Sequence, residues 1–146
     1  MKILIRDRQR HRSLNKARVN KAGRKILSIL KQPEAEVSLF FVGDIRMKQL
    51  NAAYRGINKT TDVLSFEAAI PVKCAANHVL GDIVINVSRA ESQAKLYGLG
   101  FYDEICRLLA HGILHLLGHD HEGSAHRAKV MIKKEREIFN AVKEMD

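Results

Sequence analysis

YDEICRLLAHGILHLLGHDH, residues 102–121, decides how the rest of the chain is read. From Tyr102 to Leu117 the stretch is long, apolar and spaced as a helix, and Gly118 stands where helices often end through a left-handed glycine. His111 and His115 are four apart, so on a helix they project from one face about one turn from each other. That spacing lets two imidazoles reach one ion at about 2.0–2.1 Å. The reversal expected at Gly118 swings His121 back toward the same ion. Three neutral imidazoles leave a fourth position on Zn²⁺ for water, which is the catalytic rather than the closed structural arrangement. The spacing therefore predicts His111, His115 and His121 as ligands of one zinc per chain.

Five of the seven histidines lie between positions 111 and 126. The spacing from His111 to His121, with Gly118 between, coincides with the long zincin pattern H-E-x-x-H-x-x-G-x-x-H. His119 competes as third ligand, but the pattern favours His121, and His126 reads as a surface residue at the start of the next helix. Gly112 stands where metalloproteases carry the Glu that acts as general base. Peptide hydrolysis of that kind would lack its proton acceptor here. The glycine is also expected to leave space beside the ion for a bulky group such as a phosphodiester.

Outward from this helix, strand and helix signals alternate. Lys2 to Arg6, Val37 to Val42, Val63 to Phe66 and Asp82 to Val87 read as strands. Helices are predicted from Leu14 to Lys31 with Ser13 as N-cap, from an Asp44 cap through Met47, Leu50 and Tyr54 to an end at Arg55-Gly56, from a Ser88 cap to Tyr97, and from about Ser124 to Lys143. The last carries an apolar stripe of Ala128, Met131, Ile132, Ile138, Phe139 and Val142. Pro71 to His78 reads as an irregular excursion. The expectation is one α+β domain over residues 1–146, with a small mixed sheet of about four strands packed by helices and a zincin-like metal-binding helix.

Composition narrows the function classes. A chain of 146 residues, 46% hydrophobic, can bury a core without staples. No stretch approaches the roughly 18 consecutive apolar residues of a membrane span. The opening MKILIRDRQRHR turns charged too early for a signal-peptide core. Cys74 and Cys106 are too few and too isolated for a disulfide scaffold, so the compartment expected is reducing and cytoplasmic. Of the 25 basic and 16 acidic residues, ten basic and one acidic fall within residues 1–25, so the whole net charge of +9 sits at one end. That asymmetry suggests a polyanionic partner, nucleic acid before membrane. The segment has no aromatic residue, so it suits phosphate contact, and stacking on unpaired bases needs another surface. Charge reversal at Arg8, Arg12 and Arg18 is expected to weaken RNA binding and flatten its salt dependence.

HGILHLLGHDH, residues 111–121, resembles the H-G-x-L-H-L-x-G-x-D-H signature of the YbeY family, endoribonucleases of bacterial ribosomal RNA maturation. LNAAYRGINKTTDVLSF, residues 50–66, is similar to that family's Y-R through T-D-V-L-S-F segment, and LGDIVI, residues 80–85, to its G-D-I strand. Order and spacing agree from about Val37 to His121, while the N-terminal quarter and last helix match in general character. His119 stands where the family usually has Tyr. The resemblance implies a single-domain, zinc-dependent RNA-processing fold in the cytoplasm, acting on single-stranded regions of ribosomal RNA, with the ribosomal subunit or its proteins as further partners.

On residue chemistry alone, Arg55 is a helix-end arginine near terminal carbonyls. The resemblance implies a catalytic role, in which its planar fork holds a phosphate and stabilises charge on phosphorus. Glu104, two turns before His111, either assists the site or faces its own helix dipole. Asp120 either supports a ligand imidazole or caps a turn. Thr61, Asp62 and Ser65 read as turn and strand residues, and Cys106 as core. The leading expectation is a zinc-dependent single-strand-specific endoribonuclease. The alternatives are a zincin-like metalloprotease and a non-catalytic ribosome-assembly factor with structural zinc.

Overall fold

Alternating burial along β-branched stretches builds a sheet, and 3.6-residue periodicity builds the helices that cover it. The computed structural model describes residues 1–68, 78–119 and 124–144. Along the chain run β1 (Lys2–Asp7), α1 (Lys16–Ile29), β2 (Ala35–Val42), α2 (Asp44–Arg55), β3 (Val63–Glu67), β4 (His78–Asn86), α3 (Val87–Tyr97), α4 (Phe101–Leu116) and α5 (Ala125–Glu144). The strands form one mixed sheet in the order β1-β2-β4-β3. β1, β2 and β4 are parallel, and β3 runs antiparallel to β4. The α+β class and the four-stranded mixed sheet expected from the sequence are therefore found. No helix among the described residues is long and apolar enough to cross a membrane.

Period-two alternation gives the sheet two covered faces. Val37, Leu39, Phe41, Ile83 and Ile85 join the main core with Ile105, Leu109 and Ile113 of α4. Val42, Leu64 and Val84 pack on Met47 of α2 in a smaller cluster. α4 is the hub of the main layer, contacting β3, β4, α1, α3 and α5. Its buried set includes Leu108, Leu109 and Leu114, each such side chain contributing about 1.5–3 kcal/mol by leaving water. Cys106 lies in this core, and Cys74 is outside the described residues.

Several boundaries differ from the sequence expectation: Gly43, not Asp44, stands at the N-cap of α2, and Asp44 lies in its first turn. Asn15, not Ser13, caps α1, its side chain accepting from the Arg18 N–H at 3.1 Å. Asn86, not Ser88, caps α3 by accepting from the Arg89 N–H. Both amides compete with nearby serines for the same role, and only the position of the first turn decides between them. β4 starts at His78, four residues earlier than Asp82, because it pairs with β2 from Ala35 onward across a register shift at Glu36/Val37. In α5, Ile132 is exposed, whereas Glu135 lies in the buried stripe with Met131, Ile138 and Val142. Residues 71–77 of the expected excursion lie outside the described residues.

The basic N-terminal segment is partly tied down. The guanidinium of Arg12 sits 3.9 Å from the Phe101 ring centre and that of Arg18 sits 4.4 Å from Tyr102. The Asn15 N–H donates to the Tyr102 hydroxyl at 2.9 Å. His11, Arg12 and Lys95 converge on Glu91 of α3. Burial pushes the Glu91 carboxyl up, but its bond with His11 and the surrounding positive charge outweigh this and hold it below the usual carboxylate range.

Candidate functional site

Helix α4 ends as the glycine predicted. Gly118 has φ +96°, its N–H bonds to the His115 carbonyl at 3.0 Å, and the His119 N–H reaches back to the Leu114 carbonyl at 2.9 Å. This pair of reversed bonds is a Schellman closure. It sets the last turn of α4 at the edge of a cleft of about 650 Å³. His111 and His115 both line that cleft, with ring centres 4.7 Å apart. His119 lines it too. Among the described residues, no three His, Cys, Asp or Glu side chains gather to hold a metal, so His119 does not complete a group with the pair. His121 and Asp120 lie outside the described residues. His126 is exposed at the start of α5, as expected for a surface residue.

The partner of His111 comes from α5. Nδ1–H of His111 donates to Oε1 of Glu135, a side chain only about a tenth exposed. A carboxylate on Nδ1 fixes the tautomer in which Nε2 keeps its lone pair, the arrangement that surrounds histidines on metal ions. Two imidazoles on one helical face, one of them oriented by a buried carboxylate, fit a borderline divalent ion such as zinc in donor chemistry. Glu135 was not legible as a site residue, since it sits in the charged run KKERE. The signal that marks it is its place in an otherwise apolar stripe, four residues after Met131 and three before Ile138.

Glu104 has a different task. It is fully buried, and its two oxygens accept from Arg107 Nε and Nη2 at 2.6 and 2.7 Å. Gln93 Nε2 donates to the same carboxylate at 2.6 Å. The bond with Glu104, opposed by burial, raises the Arg107 guanidinium above its usual range. Glu104 therefore anchors Arg107 and joins α3 to α4.

Arg55 ends α2 and lines the same cleft as the two histidines. Its side chain is exposed and makes no hydrogen bond or ion pair with a described residue, so it is not spent on helix-end carbonyls. The loop that follows it is pinned by two buried amides. Asn51 Nδ2 donates to the Lys59 carbonyl at 2.8 Å, and Asn86 Nδ2 to Asp44 Oδ1, Thr60 Oγ1 and the Thr61 carbonyl. Thr61, Asp62 and Ser65 line the cleft, but their polar groups bond within the protein: Thr61 Oγ1 to Asp62, Asp62 to the Val63 N–H and Gln93, and Ser65 Oγ to the Gly112 carbonyl.

Gly112 does not open the space beside the histidines that the sequence suggested. A Cβ there would lie 2.9 Å from Cδ1 and Cγ2 of Ile83. The glycine lets α4 approach β4, and the room its missing side chain leaves is filled by the sheet and does not open beside the histidines. A glutamate at this position would have to displace Ile83, so the protease-type base has no space in this packing.

The model of the family described as Endoribonuclease YbeY matches residues 4–143. An Endoribonuclease YbeY from Persephonella marina is 42% identical over 142 residues, 97% of this chain and 93% of the relative. One from Geobacter metallireducens is 39% identical over 141 residues, 95% of this chain and 94% of the relative. Among solved structures, the solution structure of a Thermotoga maritima protein superposes with a TM-score of 0.65 at 26% identity, covering 96% of this chain and 88% of that one.

Proposed function

The chain belongs to the YbeY endoribonuclease family, and from that premise we propose that it is a zinc-dependent endoribonuclease cutting single-stranded RNA during ribosomal RNA processing. The observation that carries the reading is that His111 and His115, paired on one helical face, line the same cleft as Arg55. His111 and His115, joined by His121, would hold one Zn²⁺. The bound ion would supply Lewis acidity for activating water and neutralising charge near the scissile phosphate. Arg55 would take the phosphodiester through its planar fork and stabilise the charge that develops on its oxygens. Glu135 would hold the His111 ring and tautomer throughout, at no reorganisation cost during reaction. The +9 at residues 1–25 would draw the RNA in through its phosphates, and the cysteine usage suits a cytoplasmic protein.

The test is elemental analysis of the purified protein beside His121→Ala, with cleavage of a single-stranded oligoribonucleotide by both. About one zinc per chain, lost with activity in the variant, is expected. Full zinc content in His121→Ala would remove that histidine from the ligand set. Metal-free protein that stays folded and still cuts RNA would overturn the metal-dependent reading. Folded, zinc-loaded protein that cuts nothing would leave an assembly factor with structural zinc. Peptide cleavage lost in His115→Ala would restore the protease reading against the packing of Gly112.

A further inference from the structure

A second depression, of about 580 Å³, opens between α3, α4 and α5 and shares His111 and Asp62 with the cleft of Arg55. Building on the endoribonuclease reading, we propose that this second cleft is a nucleotide subsite, in which an unpaired base flanking the scissile phosphate stacks on Tyr97 while Arg136 holds its phosphate.

Because His111 belongs to both depressions, a strand crossing the histidine pair from Arg55 runs into the second one. The volume lies in the range of small-ligand sites and takes one nucleotide. Tyr97 is 57% exposed at the end of α3. The Arg107 guanidinium stands 5.9 Å from its ring centre and is itself fixed by both oxygens of buried Glu104. The ring is thus backed by a pinned cation, a platform for any base, whereas the basic N-terminal segment offers no aromatic at all.

Charge follows. Asp62 and Glu135 also line the cleft, but Asp62 accepts from Gln93 and the Val63 N–H, and Glu135 from His111. Arg136 is exposed and has no ion pair or hydrogen bond with a described residue. Among the described residues of this wall it is the cation left to meet a phosphate. A base held in a duplex cannot reach the Tyr97 platform without leaving its partner, so the subsite itself selects single strands.

The experiment uses the full chain loaded with Zn²⁺ and an eight-nucleotide RNA of unstructured sequence. Binding is followed by fluorescence anisotropy on the all-2′-deoxy version, and cleavage on the RNA. Tyr97→Ala should weaken binding and raise KM by about tenfold, while Tyr97→Phe, which keeps the ring, restores both. Arg136→Gln should reduce the slope of log affinity against log salt by about 0.7. Because Tyr97 and Arg136 are exposed, unchanged melting curves will show that both variants fold. Wild-type affinity, KM and salt slope in Tyr97→Ala and Arg136→Gln would overturn the subsite and leave the cleft to a ligand other than RNA, such as a protein segment. Failure of the endoribonuclease reading looks different: wild type would bind the oligonucleotide in a Tyr97-dependent way and cut nothing.

Discussion

Replacing Glu135 by Gln keeps the shape of the side chain but removes its charge from the imidazole it faces. Outer carboxylates of this kind typically account for ten- to a hundredfold in metal affinity. Glu135→Gln should therefore weaken zinc binding by that factor in a chelator competition, and nitrogen NMR of His111 should show a mixture of tautomers in place of one. Undiminished affinity with a single tautomer would show that Glu135 only fills space. That the two histidines of α4 share one face and one cleft was legible because spacing on a helix is a local property, four residues and one turn. Glu135 was not, because its partnership with His111 spans 24 positions and two helices. The role of Glu104 escaped for the same reason: sequence places it on the histidine face, but only packing shows Arg107 and Gln93 consuming its oxygens.

Among the elements, one tight fit joins α4 to β4, where Gly112 meets Ile83. Gly112→Ala should destabilise the fold by about 1–3 kcal/mol through overpacking, lowering Tm by about 3–10 °C. Adding Ile83→Val, which removes one of the crowding methyls, should recover part of the loss. Equal Tm values for wild type and Gly112→Ala would show that the helix shifts freely. A second tie joins the N-terminal segment to α3 at Glu91. Since its carboxyl is held below the ordinary range in the fold, the stabilisation is complete above the ordinary carboxylate range and disappears as pH falls through the lowered value. The gap in urea midpoint between wild type and Glu91→Gln should thus be present at pH 7 and close at acidic pH; a gap independent of pH would assign it to packing. Helices and strands were legible because periodicity records burial. Strand β4 was legible only in its second half, since its start depends on what β2 offers across the register shift. The stripe of α5 was misread at Ile132 because hydrophobicity alone cannot tell which side of a helix faces a neighbour.

For the molecule as a whole, charge is concentrated where the fold begins, about 14 Å along α4 from His111, taking Tyr102 as its contact point. Arg12 and Arg18 are held on Phe101 and Tyr102, so reversing them perturbs packing as well as RNA contact. Arg8, Arg10 and Lys21 are exposed without such ties and separate the two effects. Changing these three to Gln should weaken single-stranded RNA binding and lower the salt slope by about 2, at little cost in Tm. An unaltered slope would show that the RNA path avoids this end. The bond between His111 and Glu135 also sets an order of events in the cell. A ribosome makes both α4 imidazoles well before it makes the carboxylate that orients them, so the centre stays unfinished until translation has passed residue 135. A growing polypeptide would then be harmless to the transcript it is read from, acquiring its cutting power only once its last helix has docked.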